Sequence, residues 1–290
     1  MTTRTIRADG VEIATEAFGN PAHPPVLLIM GAMASMLWWP EEFCQRLASH
    51  GRYVIRYDNR DTGLSTKYEP GAPPYAFDDM ADDAVRVLDG YGIGAAHIAG
   101  MSLGGMLVQL VALKHPARVT TLTVLSTSPV GTDTSHLPQM TQAYMEHSAK
   151  AEGMDWSDRG QVIGFMTADA RALAGTAHSH DAAAAKSLIE RDYDRSGGLA
   201  SATNHFVLKG GDGWQGQLGE MRAPLLVIHG TADPLFPVEH GEALAQAVPG
   251  ARLVRIEGGG HELHPADWDQ IIGEIAAHTA TEPRRNAVKA

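Results

Sequence analysis

Short apolar segments alternate along the chain with segments in which apolar residues recur every three or four positions. The short segments are typical of buried parallel strands, and the longer ones are typical of helices that cover a sheet. The predicted strands are residues 11–17, 26–30, 53–57, 97–99, 122–125, 225–229 and 253–257. The predicted helices are residues 41–49, 78–91, 238–248 and 266–280. The pattern predicts an α/β fold, with a mostly parallel central sheet and helices on both faces.

The alternation stops between residues 129 and 218 and resumes at Pro224. This stretch is rich in Ala and Met, has a helical pattern and contains no convincing buried strand. A segment that leaves a sheet and returns to it is an insertion rather than a domain bounded by linkers. We therefore predict a core of residues 1–128 and 219–280, a helical insertion of residues 129–218, and a flexible tail of residues 281–290.

Composition excludes several classes of protein. The 290 residues, of which 44% are hydrophobic, are enough to bury a core. Cys44 is the single cysteine, so an internal disulfide is excluded. The formal net charge of −11, with scattered basic residues, disfavours nucleic acids and anionic membranes as partners. The fourteen histidines form no tract with metal-ligand spacing, so no metal or other cofactor is predicted.

The hydropathy of the chain predicts a location in the cytoplasm. Its most apolar stretch, residues 26–39, is interrupted by Gly31 and Ser35, and it is shorter than the roughly twenty residues that span a bilayer. The first ten residues are polar and lack the apolar centre of a signal peptide. The predicted partner is a small molecule, and the oligomeric state is open between monomer and homodimer.

Residues 100–104, Gly-Met-Ser-Leu-Gly, join a short apolar strand to an amphipathic helix. Small residues two positions before and after a serine allow the strand and helix to approach closely, and the tight turn holds the serine hydroxyl above the sheet. The pentapeptide alone is a weak signal in a chain with 31 glycines. Its place between a strand and a helix predicts Ser102 as a nucleophile. The alternative is a glycine-rich turn in which Ser102 caps the helix.

A serine nucleophile needs a base to accept its proton and an acid to orient that base. In this kind of turn the expected chain order is Ser, then Asp or Glu, then His. Asp233 follows one late strand and His261 follows the next. Both residues therefore lie at the carboxyl ends of strands, as Ser102 does, and open α/β sheets place their chemistry at that edge.

Other assignments of the acid and the base remain open. Asp233 precedes a proline and is suited to a turn or a helix cap, and Asp133 is a rival acid. His261 is a loop histidine in the alternative in which His264 is the base. His229 is predicted to satisfy backbone groups at the end of its strand rather than to carry chemistry.

The tetrahedral intermediate of acyl transfer needs N–H donors aimed at its oxygen. Leu103 directly follows the nucleophile at a helix N-terminus, so its N–H is one predicted donor. The second is predicted to be the N–H of Ala32, in the loop that follows an earlier strand. The alternative for this loop is a plain glycine turn that ends the strand.

Four sequence motifs resemble the α/β-hydrolase superfamily and, within it, the aclacinomycin methylesterases, which remove a methyl ester from an anthracycline. They are LLIMGAMAS with the following WWP, YDNRDTGLST at residues 57–66, AVRVLDGYGI, and the turn GMSLGG. The resemblance implies an α/β-hydrolase fold with a helical lid inserted after the sixth strand. It also implies Ser102, Asp233 and His261 as the catalytic triad, with Ala32 and Leu103 as the oxyanion donors.

The chain departs from the superfamily pattern in two places. Met30-Gly31 stands where the superfamily often has His-Gly, so the oxyanion loop must be supported in another way. Asp58 and Arg60 are candidates for that support, and the simpler interpretation of these two residues is an ion pair within a turn. The insertion, which would shape the substrate pocket, contains no motif that aligns with the family.

The predicted function is that of a serine carboxylesterase, which hydrolyses a hydrophobic, polyketide-type methyl ester through an acyl-enzyme on Ser102. One alternative is that the same triad acts as an enol-lactonase, a C–C bond hydrolase or a perhydrolase. An alternative of another class is a ligand-binding protein with little turnover. Large apolar side chains of the insertion and the oxyanion loop are predicted to contact the substrate: Met33, Met36, Trp38, Trp156 and Phe165.

Overall fold

The computed structural model describes residues 3–280, apart from the side chain of Asp212. The predicted tail, residues 281–290, lies outside this range. Within it, one sheet contains the strands β1 (Arg4–Ala8), β2 (Val11–Phe18), β3 (Pro25–Ile29), β4 (Tyr53–Tyr57), β5 (Ala96–Met101), β6 (Val119–Leu125), β7 (Leu225–Gly230) and β8 (Arg252–Ile256). Their order across the sheet is β1-β2-β4-β3-β5-β6-β7-β8. Strand β2 is antiparallel to β1 and β4, and the other neighbours are parallel.

All seven predicted strands are present with small changes at their ends, but the sequence analysis missed β1. Of its five residues, only Ile6 is buried, because β1 lies at the edge of the sheet. Such a strand has no apolar run to reveal it. The turn between β1 and β2 is Asp9-Gly10, and both residues have positive φ. An Asp-Gly pair of this kind is a hairpin signal, so the missing strand was detectable.

Helices cover both faces of the sheet. Helices α1 (Glu41–Ser49) and α8 (Trp268–Thr279) pack on one face. Helices α2 (Phe77–Gly90), α3 (Leu103–Lys114) and α7 (Glu239–Ala247) pack on the other. Each interface is built from fully buried Leu, Ile, Val and Phe side chains, each of which stabilises the fold by about 1.5–3 kcal/mol on burial.

The chain between β6 and β7 contains helices and, within the part of the chain that the structure describes, no strand. The helices are α4 (Gln142–Ser148), α5 (Arg159–Leu173) and α6 (Ala182–Ser196), and short 3₁₀ turns follow them. Helices α5 and α6 pack on each other around Val162, Met166 and Ile189, and Met33 from the loop after β3 joins this cluster. The insertion is thus packed against the loop predicted to supply an oxyanion donor.

None of the helices found in residues 3–280 is both long enough and apolar enough to cross a bilayer.

Candidate active site

Ser102 lies in the sharp turn between β5 and α3. Its backbone angles are φ 55° and ψ −122°, a region that residues with side chains rarely adopt. A Cβ on Gly100 would lie 2.2 Å from the carbonyl oxygen of Gly104, and a Cβ on Gly104 would lie 2.2 Å from that of Ile29. Neither contact is possible, so both positions require glycine. The strained turn therefore depends on the two glycines that the sequence analysis singled out.

Hydrogen bonds from the end of β6 and the residues just after it hold this turn in place. The N–H of Ser102 donates to the carbonyl of Leu125, at 2.9 Å. The hydroxyl of Thr127 donates to the carbonyl of Ser102, at 2.7 Å. The turn is consequently fixed at the carboxyl end of β5, and its geometry does not depend on α3 alone.

Asp233 and His261 meet at the same edge of the sheet, beyond β7 and β8. His261 Nδ1 lies 2.8 Å from Asp233 Oδ2. The other carboxylate oxygen, Oδ1, accepts the N–H groups of Leu235 and Phe236, each at 2.9 Å. Asp233 is 4% exposed and His261 is 7% exposed, so the pair is largely shielded from water. The carboxylate is fixed by the backbone on one side and by the imidazole on the other.

The electrostatics of the pair keep Asp233 ionised. Burial alone raises the pKa of Asp233, but His261, with a contribution from His229 and the N–H of Phe236, holds that pKa below its usual value. An ionised carboxylate accepts hydrogen bonds and cannot donate them. The proton between the two residues therefore belongs to His261 Nδ1, and Nε2 is left as the proton acceptor.

The loop that carries His261 is attached to the insertion. The N–H of His261 donates to the carbonyl of Leu173, at the end of α5, over 2.8 Å. The ring packs edge-on against Phe236, with 5.8 Å between centroids. His229 Nε2 lies 2.7 Å from the carbonyl oxygen of Phe236, which is the backbone role predicted for it.

Asp133 and His264, the alternative acid and base, have hydrogen-bond partners outside the Asp233–His261 pair. Asp133 is exposed, and its carboxylate accepts the N–H of Ser135 at 2.9 Å. His264 accepts the N–H of Ala266 at 3.2 Å, and its ring stacks on that of His178. Within residues 3–280, neither Asp133 nor His264 is hydrogen-bonded to the Asp233–His261 pair. The structure brings together the predicted acid and the predicted base, not their rivals.

Both predicted oxyanion donors have free N–H groups. Within residues 3–280, the N–H of Ala32 and the N–H of Leu103 have no hydrogen-bond acceptor. The loop that contains Ala32 runs beside Ser102. A Cβ placed on the neighbouring Gly31 would lie only 3.6 Å from Ser102 Oγ. Two unpaired donors next to a strained serine are the arrangement that an oxyanion requires.

Side chains distant in sequence support the loop after β3. The N–H of Met33 donates to His205 Nδ1 at 3.2 Å, that of Ser35 to Asp192 at 3.2 Å, and that of Met36 to Asp58 at 2.8 Å. Two of these three acceptors come from the insertion. They provide the support that the superfamily's His would otherwise supply.

The predicted roles of Asp58 and Arg60 are only partly correct. Asp58 supports the loop and pairs with Arg195, at 2.8 Å. Arg60 instead pairs with Asp83 on α2, at 2.6 Å. An ion pair between Asp58 and Arg60 is therefore wrong, because each has a closer partner of opposite charge.

His205 is a neutral part of this support. Burial lowers the pKa of its imidazole, and the carbonyl of Arg60 and the charge of Asp61 only partly oppose this effect. Its Nε2 lies 2.8 Å from the Arg60 carbonyl, so Nε2 carries the proton and Nδ1 accepts the N–H of Met33. A single neutral tautomer satisfies both contacts.

The predicted substrate contacts differ in how much surface they offer. Trp38, Trp156 and Phe165 are partly buried against the cluster inside the insertion, and Met33 is 6% exposed. Met36 is 0% exposed. It has no accessible surface for a ligand in this structure, and its N–H donates to Asp58.

The sequence analysis missed two groups of polar residues near the site. The first is the pair Asp192 and His205 described above. The second is Tyr144, His147 and Asp169, which we call the insertion polar cluster; it lies on α4 and α5. No motif or periodicity marks either group, because each works through contacts between segments far apart in the chain.

Within the described residues, a single group has the composition and spacing to hold a metal ion. It consists of His178, His264 and Asp267, whose ligand atoms lie within 4.8 Å of one another. His178 Nε2 is already 2.8 Å from Asp267 Oδ1. None of the predicted catalytic residues belongs to this group.

Comparison with known proteins identifies the family. A family described as having the alpha/beta hydrolase fold matches residues 24–266. The rhodomycin D methylesterases DauP of Streptomyces sp. (strain C5) and DnrP of Streptomyces peucetius are each 34% identical to this chain, over 96% of it and 98% of their own length. The crystal structure of the esterase RhEst1 from Rhodococcus sp. ECU1013 superposes with a TM-score of 0.77, at 23% identity, over 97% of this chain and 100% of that one. The predicted fold class and the predicted class of enzyme, a carboxylic ester hydrolase, are confirmed. The chain belongs to the α/β-hydrolase family.

Proposed function

We propose that this protein hydrolyses a carboxylic ester through an acyl-enzyme on Ser102, with Asp233 and His261 completing the triad. The observation that carries the proposal is the hydrogen bond of 2.8 Å between His261 Nδ1 and Asp233. It leaves His261 Nε2 as a proton acceptor at the edge of the sheet that also holds the strained turn of Ser102. The free N–H groups of Ala32 and Leu103 support the same proposal.

In this mechanism Ser102 Oγ attacks the ester carbonyl carbon while His261 Nε2 takes the hydroxyl proton. The carbonyl π electrons move to the oxygen, and the N–H groups of Ala32 and Leu103 stabilise the resulting oxyanion. Asp233 stabilises the imidazolium. The intermediate then collapses, the C–O bond to the alcohol breaks, and the alcohol leaves with the proton from His261.

The second half of the cycle uses the same groups. His261 Nε2 takes a proton from water, and the resulting hydroxide attacks the acyl carbon. The second intermediate expels Ser102 Oγ, which regains its proton from His261. The products are a carboxylic acid and an alcohol, and the enzyme returns to its starting state.

We propose a methyl ester on a hydrophobic, polyketide-type acid as the substrate. The similarity to the two rhodomycin D methylesterases, over nearly the whole chain, supports the methyl ester. The partly buried aromatic side chains Trp38, Trp156 and Phe165, which pack about Met33, support a large apolar acyl group. In this proposal residues 129–218 form a lid that selects the acyl group, and the protein acts in the cytoplasm.

A panel of esters tests the activity and the class of substrate together. We would measure kcat/KM for methyl esters of fused-ring aromatic acids, short acyl esters, a lactone and a diketone. The enzyme with Ser102→Ala is compared with Ser49→Ala, which removes an exposed hydroxyl at the end of α1. We expect the fused-ring methyl esters to be preferred, and only Ser102→Ala to abolish turnover. Preference for the lactone or the diketone would reject the methylesterase, and turnover by Ser102→Ala would reject the mechanism.

A second experiment tests the role of residues 129–218. Replacing them with the corresponding segment of a hydrolase of small esters should change the preference among esters far more than it changes the rate at which a small fluorophosphonate labels Ser102. A folded exchange variant that keeps the original preference would show that the pocket is built by the core loops instead.

A further inference from the structure

The insertion polar cluster contains hydrogen-bonding groups that the protein leaves unused. The hydroxyl of Tyr144 donates to Asp169 Oδ1, at 3.2 Å. His147 Nε2 lies 3.2 Å from the same oxygen in a poorly aligned contact, and this buried atom has no other partner within residues 3–280. Over the same residues, Asp169 Oδ2 has no hydrogen-bond donor. The cluster thus presents one poorly paired imidazole nitrogen and one carboxylate oxygen without a donor from the protein.

Helix α5 brings this cluster to the catalytic site. Phe165, Asp169 and Leu173 are spaced by four residues, so they share one face of α5. The carbonyl of Leu173 accepts the N–H of His261 at 2.8 Å. Asp169, one turn earlier, is close enough for the charge of His261 to act on its carboxyl group. Asp169 therefore lies one helical turn from the contact between α5 and His261.

The electrostatic surroundings of Tyr144 agree with this placement. Asp233 contributes to the raised pKa of Tyr144, although burial is the larger cause and the charge of Asp169 the next. Tyr144 accordingly remains a neutral phenol that donates to Asp169. Asp169 thus interacts electrostatically with His261, the predicted base, and Tyr144 with Asp233, the predicted acid.

Burial works against the charge of Asp169. It raises the pKa of the carboxyl group, and His147, Tyr144 and His261 only partly offset the rise. The side chain of Asp169 is 17% exposed and that of His147 is 9% exposed, so water reaches the carboxylate more readily than the imidazole nitrogen. A largely buried polar group is stabilised when a partner with good geometry replaces poorly held water. Both unused groups gain from a ligand that supplies the missing hydrogen bonds.

The surroundings of the cluster are aromatic. The ring of His147 stacks on Phe165, with centroids 5.0 Å apart and planes inclined by 12°. Phe165 in turn packs edge-on against Trp156, at 6.0 Å. A ligand that pairs with these polar atoms would therefore contact aromatic rings as well. The arrangement suits a flat apolar molecule that carries a polar group at one end.

The chemistry of the unused atoms selects the polar group. His147 Nε2 lies 3.2 Å from a carboxylate oxygen of Asp169, so we assign the imidazole proton to Nε2. A hydroxyl then donates its single proton to Asp169 Oδ2 and accepts the N–H of His147. A carbonyl only accepts and would leave the carboxylate unpaired, whereas an ammonium only donates and would leave a protonated Nε2 without an acceptor. Burial, which disfavours separated charges, adds to the preference for a neutral group.

We propose that Tyr144, His147 and Asp169 form a subsite that binds a hydroxyl group on the acyl part of the ester. In this proposal Asp169 and His147 contact the hydroxyl, and Tyr144 positions Asp169 through its hydrogen bond. The inference rests on the proposed function, since it names a feature of the substrate that Ser102 would attack. It predicts that a hydroxylated aromatic ester is bound better than the parent ester.

The test compares methyl esters of naphthalene and anthracene carboxylic acids with their monohydroxylated counterparts, with the hydroxyl at each ring position. For each pair, kcat/KM is measured in the wild type and in Asp169→Ala, His147→Phe and Tyr144→Phe. Phenylalanine at position 147 keeps the stacking on Phe165 and removes the nitrogen. Asp158→Asn is the matched control, since Asp158 is an exposed cap of the same helix and asparagine caps equally well.

We expect at least one hydroxylated ester to be preferred by about tenfold in the wild type and in Asp158→Asn, the effect of one well-placed hydrogen bond. The ratio should fall to near one in Asp169→Ala and in His147→Phe, mainly through KM, and should fall less in Tyr144→Phe. His147→Phe and Tyr144→Phe keep the test decisive if Asp169→Ala does not fold.

Three results would overturn the subsite. They are no hydroxyl preference at any ring position in the wild type, a preference that survives Asp169→Ala and His147→Phe, or an equal loss on both members of a pair. Ser102→Ala in the same assay separates the two proposals. If it retains turnover, the proposed function fails. If it abolishes turnover while the cluster variants leave the ratio unchanged, the subsite alone fails.

Discussion

Replacing Asp233 with asparagine should reverse the hydrogen bonding of His261 without altering the shape of the site. Oδ1 of Asp233 accepts the N–H groups of Leu235 and Phe236. Because an amide NH₂ cannot accept them, the asparagine oxygen must take that place, and its NH₂ then faces His261 Nδ1. The imidazole must accept at Nδ1 and carry its proton at Nε2, so it cannot take the proton of Ser102.

The size of the loss in kcat depends on the free energy needed to rotate the asparagine amide back. Rotating the amide to restore the original tautomer would place NH₂ against two backbone N–H groups, and unsatisfied buried donors cost about 1–3 kcal/mol each. The wrong tautomer therefore persists. We expect kcat to fall by about 10⁴-fold, which corresponds to about 5.4 kcal/mol in the activation free energy.

The assay is the initial rate of p-nitrophenyl acetate hydrolysis, with circular dichroism and the midpoint of thermal unfolding to verify the fold. Asp133→Asn is the matched control, because Asp133 is exposed and is the rival acid in the sequence. It should stay within about twofold of the wild type, as is usual for surface changes. A folded Asp233→Asn enzyme within tenfold of the wild type, or the large loss in Asp133→Asn instead, would refute the reasoning.

Three further predictions concern histidines. Turnover should fall by several orders of magnitude in His261→Ala and stay nearly unchanged in His264→Ala, measured with the same ester; the reverse result would make His264 the base. His205→Ala should lower kcat by about tenfold, more than it raises KM, because the N–H of Met33 loses its acceptor. The exposed His136→Ala is the control, and equal rates in the two variants would show that His205 does not support the oxyanion loop. Burial lowers the pKa of His97 to about 4, below its unfolded value of about 6.5. The unfolded chain therefore binds the proton first, and His97 costs about 2–3 kcal/mol of stability as pH falls from about 6.5 to about 4. Chemical denaturation of His97→Gln should show a smaller acid loss than the wild type, and an equal loss would contradict the linkage.

Elements that depend on local pattern were predictable from the sequence. The turn at Ser102 needs only glycines at fixed offsets and an apolar strand before it, and all of these are neighbours in the chain. Asp233 and His261 were found because parallel strands end at a common edge, so a polar residue just beyond a strand is placed by topology. The strand β1 was missed because its burial is confined to Ile6.

Contacts between remote segments were not predictable in this way. Met33 and His205 are 172 residues apart, and Ser35 and Asp192 are 157 apart. No periodicity or motif relates such positions, and His205 is one of fourteen histidines. The same reason hid Asp169, whose neighbours depend on how α4 and α5 pack. Sequence patterns thus located the predicted catalytic residues, whereas packing determines the groups that contact and support them.

The most direct test of the account is the site of reaction with a fluorophosphonate. Such reagents react appreciably only with a serine that a base activates. Peptide mapping by mass spectrometry should find one adduct, on Ser102, together with loss of esterase activity. Labelling should be absent in Ser102→Ala and much slower in His261→Ala. An adduct on another serine, or undiminished labelling of Ser102→Ala, would contradict the assignment of Ser102 as the nucleophile.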